Sequence, residues 1–347
     1  MNKLQEVVLI PSLDPDDKLV QVVRGCREQG FDRIVLVDDG SGEACREPFR
    51  RAEELGAVVL RHEKNRGKGA ALKTGIADIA ARFPDAPCIV TADGDGQHWA
   101  EDIRAVAKAA SERDALVLGA RDLNDPATPR RSRFGNRFSA LFFRLATGVK
   151  CPDTQTGLRG LPRSLWDFAL SVEGNRYEYE MNLLMAAAER KYPLEMVPIS
   201  TIYFDNNKKS HFRTFRDAFL VYRRPIRFAA ASLSSSVVDL VCFTLLMALF
   251  FSRESAGQVM LATVIARCVS GIYNFTVNKK WSFSAGGNTA RQAARYLILF
   301  LAIMLASGGI VALLRLLPMN ITVLKLIVDL LLFIVSYFAQ RRWVFRA

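Results

Sequence analysis

The sequence predicts an α/β domain with a mostly parallel sheet, followed by an all-α membrane domain of four transmembrane helices. Two observations carry this. Up to about residue 227, short apolar runs alternate with helix-period segments; beyond it come long apolar stretches with few charges. Strands alternating with helices build parallel sheets covered on their faces, and about 20 consecutive apolar residues cross a bilayer.

The strand-length runs are VVLIPS, RIVLVDDG, AVVLRHE, APCIVTADGDG and ALVLGAR, with helical patterns such as DDKLVQVVRGCREQG and GAALKTGIADIAARF between them. Ligands of such sheets bind beyond the carboxyl ends of the strands. Three of these ends are polar: Asp38-Asp39-Gly40-Ser41, Asp93-Gly94-Asp95 and Arg121-Asp122. That edge is the candidate active site.

Composition narrows the class. The chain has 347 residues, half of them hydrophobic, and a formal net charge of +12, a length that suits two domains. Six scattered cysteines form no CxxC pair, which fits a reducing compartment. MNKLQEVVLIPS has no long apolar core and no small-residue cleavage site, so no signal peptide is expected. No G-x-G-x-x-G follows the first strand, and NRGKGAALKTG lacks P-loop spacing. Gln97, His98 and Arg104 stand where an EF-hand needs other residues. What remains for Asp93 and Asp95 is Mg²⁺ or Mn²⁺ bridging carboxylates to a diphosphate, with glycines allowing close approach.

IPSL, LVDDGSG, NRGKGAAL, ADGDGQH, DTQTGLRG and YEYEMNLL together resemble a family-2 glycosyltransferase of GT-A fold, of the group of polyprenyl-phosphate sugar synthases that includes dolichol-phosphate mannose synthase. The resemblance covers about residues 5 to 227 and implies a role for each matching position. Asp93, Asp95 and Gln97 would hold the metal, and Pro11, Asp14, Asp39, Asp93 and Gly94 the nucleotide, although Asp14-Pro15-Asp16 replaces the family's frequent Asn-Glu. Arg121, Arg131, Ser132 and Arg133 would hold the acceptor phosphate; Asp153 and Gln155 would face the sugar. Asp95, Arg121 and Arg131 are the expected catalytic residues, with Lys68 a further phosphate candidate and Glu178 and Glu180 an acidic helix start.

The reaction implied is metal-assisted transfer, with inversion, from GDP-mannose or UDP-glucose to a dolichyl or undecaprenyl phosphate. An ionised phosphate acceptor needs no base; it needs cations to offset repulsion between two anions.

Residues 211–227 read as a basic interfacial helix, with Phe212, Phe215, Phe219 and Tyr222 on one face among arginines. The bilayer that follows argues against nucleic acid as its partner. Spans are expected at about 228–251, 257–277, 294–317 and 321–340, leaving 1–210 as the cytosolic domain. Lys279, Lys280, Arg291 and Arg295 between spans two and three, with Arg341, Arg342 and Arg346 after span four, place both termini in the cytoplasm. FTVNKKWSF (275–283) repeats as YFAQRRWVF (337–345), and the region from 228 on resembles the GtrA-like membrane family. Asp239 with Arg267, and Lys325 with Asp329, are expected intramembrane pairs.

Two other readings exist. A processive polysaccharide synthase would carry Q-x-x-R-W on an interfacial helix, but Gln340-Arg341-Arg342-Trp343 is one residue short and follows the last span. A lipid-linked sugar flippase with a regulatory domain would not need an intact D-x-D-x-Q set. Sugar, nucleotide and oligomeric state stay open.

Overall fold

The computed structural model describes residues 4–123, 130–200, 223–250, 256–283, 285–314 and 321–345. The chain divides into two compact units, Met1–Val221 and Tyr222–Ala347.

In the first unit, β1 (Leu4–Ser12), β2 (Phe31–Asp38), β3 (Val58–Arg61) and β4 (Cys88–Thr91) alternate with α1 (Lys18–Glu28), α2 (Arg46–Glu54) and α3 (Lys68–Arg82). There follow α4 (Ala100–Arg113), β5 (Leu116–Arg121), α5 (Arg130–Thr147), β6 (Arg159–Pro162), α6 (Trp166–Ser171), α7 (Glu178–Glu189) and β7 (Leu194–Ile199). The seven strands lie in the order β3-β2-β1-β4-β6-β5-β7. All pairs are parallel except those of β6 with β4 and β5. The chain runs outward from β1 to β3 and then crosses back to β4. The switch point therefore lies between the ends of β1 and β4, where open α/β sheets bind ligands.

The helices follow from their apolar spacing. Leu19, Val22, Val23 and Cys26 make one buried stripe on α1; Ile103, Val106, Ala107 and Ala110 do so on α4. Both pack on Val8, Ile10, Leu36 and Val90, and each fully buried aliphatic side chain contributes roughly 1.5–3 kcal/mol. On α3, Gly75 has no room for a side chain, since a Cβ there would run into Leu9 of β1. Burial pushes the Cys26 thiol up to about 12, against the opposing charge of Arg27. All six cysteines are free.

The second unit consists of α8 (Arg223–Leu249), α9 (Ala256–Val277), α10 (Thr289–Leu314) and α11 (Ile321–Ala339). Three described stretches, Pro225–Leu249, Gly257–Ser282 and Thr289–Ser307, are long and apolar enough to cross a membrane. The expected fourth span corresponds to α11. Most of the expected interfacial helix lies outside the described residues; its last five, 223–227, open α8.

The sequence repeat is a structural one. Both copies end in a π-helical turn, Asn278–Ser282 and Gln340–Val344. Laying 275–283 on 337–345 exchanges Phe275 with Tyr337 and Phe283 with Phe345. The contacts exchange likewise: Phe275–Phe345 at 5.7 Å answers Phe283–Tyr337 at 5.8 Å. Phe228–Tyr337 at 5.2 Å answers Tyr296–Phe275 at 5.4 Å. Arg227 donates to the Trp281 carbonyl at 3.2 Å, as Arg295 does to that of Trp343 at 2.9 Å. Buried Asn278 and Gln340 meet at 3.4 Å. The two hairpins thus contact each other largely through equivalent residues; Phe228–Phe333 at 5.1 Å has no counterpart, because Gly271 stands where the repeat would need a ring.

Deeper in the spans, Arg267 Nε lies 3.7 Å from Asp239, which also accepts from Ser270 at 2.9 Å. Asp329 accepts from Ser307 at 2.6 Å. The Lys325 side chain, its expected partner, lies outside the described residues.

Candidate active site

The site forms where β4 runs out. Thr91 is buried and its hydroxyl donates to the Gly157 carbonyl at 2.8 Å, tying the strand end to the loop before β6. A Cβ at Gly157 would collide with the Asp93 carboxylate, so glycine there lets Asp93 lie against the loop backbone. A Cβ at Gly94 would stand 3.0 Å from Leu19 and 3.2 Å from Ser12 Oγ, so the β1 and β4 ends flank one crevice.

Around Asp93 the charges are crowded. The Lys68 ammonium, at the first residue of α3, lies 2.8 Å from Asp93 and 3.1 Å from Glu180 of α7. Burial alone would push this ammonium down; the two carboxylates outweigh it and hold it above its usual value. Asp93 is likewise raised by burial but carried well below the usual carboxylate range, chiefly by Lys68. His98 Nε2 stands 3.8 Å from the other Asp93 oxygen. The buried atoms His98 Nδ1, Glu178 Oε2 and Glu180 Oε1 have no hydrogen-bond partner among the described residues.

Asp95 accepts from the Gln97 backbone N–H at 3.1 Å. Desolvation, and then the charge of Asp93, hold its carboxyl above the ordinary value. A pair of carboxylates in which one suppresses ionisation of the other is short of positive charge, and its all-oxygen donors suit Mg²⁺ or Mn²⁺. Among the described residues no three His, Cys, Asp or Glu side chains converge to hold an ion. Asp93 and Asp95 fit a cation that takes its other oxygens from phosphates and water.

The remaining expected residues divide into three groups. Pro11 pairs with Val37 at the ends of β1 and β2, and exposed Asp14 accepts from Gly42 N–H at 3.0 Å with its own φ at +47°. Both stand beside the crevice. A second group is turned inward. Asp39 is only 4% exposed, and its carboxylate is taken by His62 and by the Arg66 and Gly67 N–H groups. The expected contact with base or ribose would have to use the acceptor site that these three donors leave on Oδ2. Asp153, expected beside the sugar, is instead a fully buried counter-ion: Arg121 grips it through Nε at 2.6 Å and Nη2 at 2.9 Å. Such a fork-to-fork pair commits both partners. Arg121 is thus held by Asp153 along one side of its guanidinium, and Gln155 enters through its N–H to Asp153 at 3.2 Å. The third group lies on α5, where Arg133 is half-buried and the side chains of Arg131 and Ser132 lie outside the described residues.

Two residues went unread in the sequence. Buried Arg159 of β6 donates to the carbonyls of Thr156 at 2.9 Å and Glu180 at 2.6 Å, joining the loop to the start of α7. His62 lies behind Asp39. Because RGLP does not read as a strand, no signal in the sequence marks Arg159.

Residues 7–167 match the family described as glycosyl transferase family 2, and residues 207–345 that described as GtrA/DPMS, transmembrane domain. An uncharacterized protein of Methanocaldococcus jannaschii is 31% identical over 214 residues, spanning 58% of this chain and 84% of that protein. The UDP-N-acetylglucosamine–dolichyl-phosphate N-acetylglucosaminyltransferase of Methanococcus voltae is 28% identical over 222 residues, 56% of this chain and 85% of that enzyme. The dolichyl-phosphate beta-glucosyltransferase of Saccharomyces cerevisiae is 26% identical over 203 residues, 50% of this chain and 58% of that enzyme.

Proposed function

This chain belongs to glycosyl transferase family 2, and we propose that it moves a sugar from a nucleoside-diphosphate sugar to a polyprenyl phosphate at the cytoplasmic face of a membrane, inverting the anomeric carbon. One observation carries the reading: a crevice ending in Asp93 and Asp95 shares a chain with a GtrA/DPMS transmembrane domain. A lipid-borne acceptor explains why the two belong together. The relatives from Methanococcus and Saccharomyces differ in the sugar they are named for and agree in dolichyl phosphate. The acceptor class is what the likeness supports; GDP-mannose, UDP-glucose and UDP-N-acetylglucosamine are the donors to try.

The residues divide the work. Asp93 and Asp95 would hold Mg²⁺ or Mn²⁺, which when bound offsets charge on a departing diphosphate. Lys68 supplies a fixed positive charge beside Asp93. Arg121, Arg131 and Arg133 are the cations for the acceptor phosphate, with Asp153 holding Arg121 in place at the loop before β6. The acceptor is ionised at neutral pH, so no side chain has to remove a proton.

The test is transfer by the purified full chain to a short polyprenyl phosphate, with labelled nucleotide sugars and Mn²⁺ or Mg²⁺. Organic-extractable label from one donor, abolished by EDTA and by Asp95→Asn, is the expected result. No transfer from any donor by folded protein overturns the reading.

A further inference from the structure

We infer that Asn136 of α5 is a positioning residue: by gripping the loop before β6, it sets how far the cations offered to the acceptor phosphate stand from the carboxylates that would hold the metal. The inference rests on the transfer reading above. Asn136 is buried on the inward side of α5, in line with Ser139, Phe143 and Ala146. Its amide N–H₂ donates to the Pro152 carbonyl at 2.7 Å, and its own carbonyl accepts from the Thr154 N–H at 3.2 Å. One side chain thus holds the loop on both sides of Asp153, the counter-ion of Arg121.

Apolar packing does not fix this end of the helix. Phe134 and Phe138, on either side of Asn136, are 76% and 52% exposed, and among the described side chains the first large apolar one buried along α5 is Phe143. The grip on the loop falls to Asn136, with Gly135 close by: a Cβ there would stand 3.9 Å from the Gln155 amide nitrogen. Arg133 lies one turn before Asn136 and Arg131 two residues earlier. Whatever fixes Asn136 therefore fixes where both arginines start from.

The loop is tied as firmly beyond that grip. Arg159 donates to the Thr156 carbonyl at 2.9 Å, and the Gly157 carbonyl accepts from Thr91 at 2.8 Å while its Cα lies against the Asp93 carboxylate. Each residue from Asp153 to Gly157 is held by a hydrogen bond, so the segment is a spacer of fixed length between α5 and the end of β4. Loosening it at Asn136 would let the acceptor cations drift and leave Asp93 and Asp95 where they are. Reacting groups about 1 Å out of place can cost about a hundredfold in rate.

Two measurements on the full-length chain test this: transfer to a short polyprenyl phosphate from the donor that wild type uses, with Mn²⁺, and calorimetry of the matching nucleoside diphosphate with Mn²⁺. Asn136→Ala should lower kcat at saturating substrates about ten- to a hundredfold, with diphosphate binding within about twofold of wild type and little change in the acceptor KM. Asn136→Gln keeps both amide groups and lengthens the grip by one methylene. It should lower kcat too, by less, and it carries the test if the alanine variant does not fold. Diphosphate binding that falls in step with kcat would overturn the inference, because Asn136 would then prop the whole site. So would a loss confined to the acceptor KM, which would make Asn136 one of the acceptor's own contacts, or a glutamine variant with the kcat of wild type. Wild type that binds a diphosphate with Mn²⁺ yet transfers from no donor would bring down the transfer reading itself, and this inference with it.

Discussion

Asp93 and Asp239 are both carboxylates facing a cation, and their surroundings differ in one respect. Asp93 shares a single ammonium with Glu180, with Asp95 beside it and one Glu180 oxygen unpartnered among the described residues. Asp239 faces one guanidinium and one hydroxyl, and the local charge sums to zero. A surplus of negative charge is tolerated when a ligand removes it, whereas a balanced pair closes on itself. The first arrangement belongs to a binding site and the second to a structural joint.

The largest effect that tests this contrast is expected at the surplus. Asp93→Asn should lower transfer by about 10²–10³-fold, the scale for losing one electrostatic contact to a transition state, with the fold kept by circular dichroism. Lys68→Met removes the only ammonium described on Asp93 and should cost about ten- to a hundredfold in kcat/KM for the donor. Gly157→Ala probes crowding without altering charge. Its methyl group displaces the Asp93 carboxylate, so metal titration followed by Mn²⁺ relaxation should show weaker binding while the melting temperature barely moves. The smallest effect is expected at the balanced pair. Asp239→Asn with Arg267→Gln should leave transfer within about twofold, whereas Arg267→Gln alone, which leaves a carboxylate unpaired in a span, should lower the melting temperature in detergent more than the double variant does. If the double variant lost transfer, the joint would be a site after all.

Much of this was legible in the sequence, for physical reasons that can be named. APCIVTADGDG shows an apolar run breaking at two aspartates, and the end of β4 is where the structure has them. The Asp239–Arg267 pair was legible because two charges in apolar spans have few other partners. Two strands were missed. β6 has four residues, RGLP, two of them turn formers, and β7, LEMVPI, also carries a proline. With β6 went the antiparallel centre of the sheet and the role of the loop before it. Arg121 and Asp153 were read separately, since spacing along a chain does not reveal that two ligand-like residues pair with each other. The protein donors on Asp39 were hidden for the same reason. A motif fixes where a carboxylate starts from, while the donors that claim it, here His62 and the Arg66–Gly67 turn, come from other elements.

The reciprocal contacts of the membrane hairpins carry a consequence for how that unit holds together. Contacts that exchange partners under a repeat are those of an isologous homodimer, here with both halves on one polypeptide. The linker between α9 and α10 is short, so each hairpin meets the other at a high effective concentration, on the order of millimolar for short tethers. Among the described residues, an interface made mainly of seven aromatic rings and one pair of amides then suffices where two separate molecules would need far more. Cutting the chain between residues 284 and 288 should expose that dependence: the halves should co-purify when expressed together at high level and part on dilution, while the uncut chain does not.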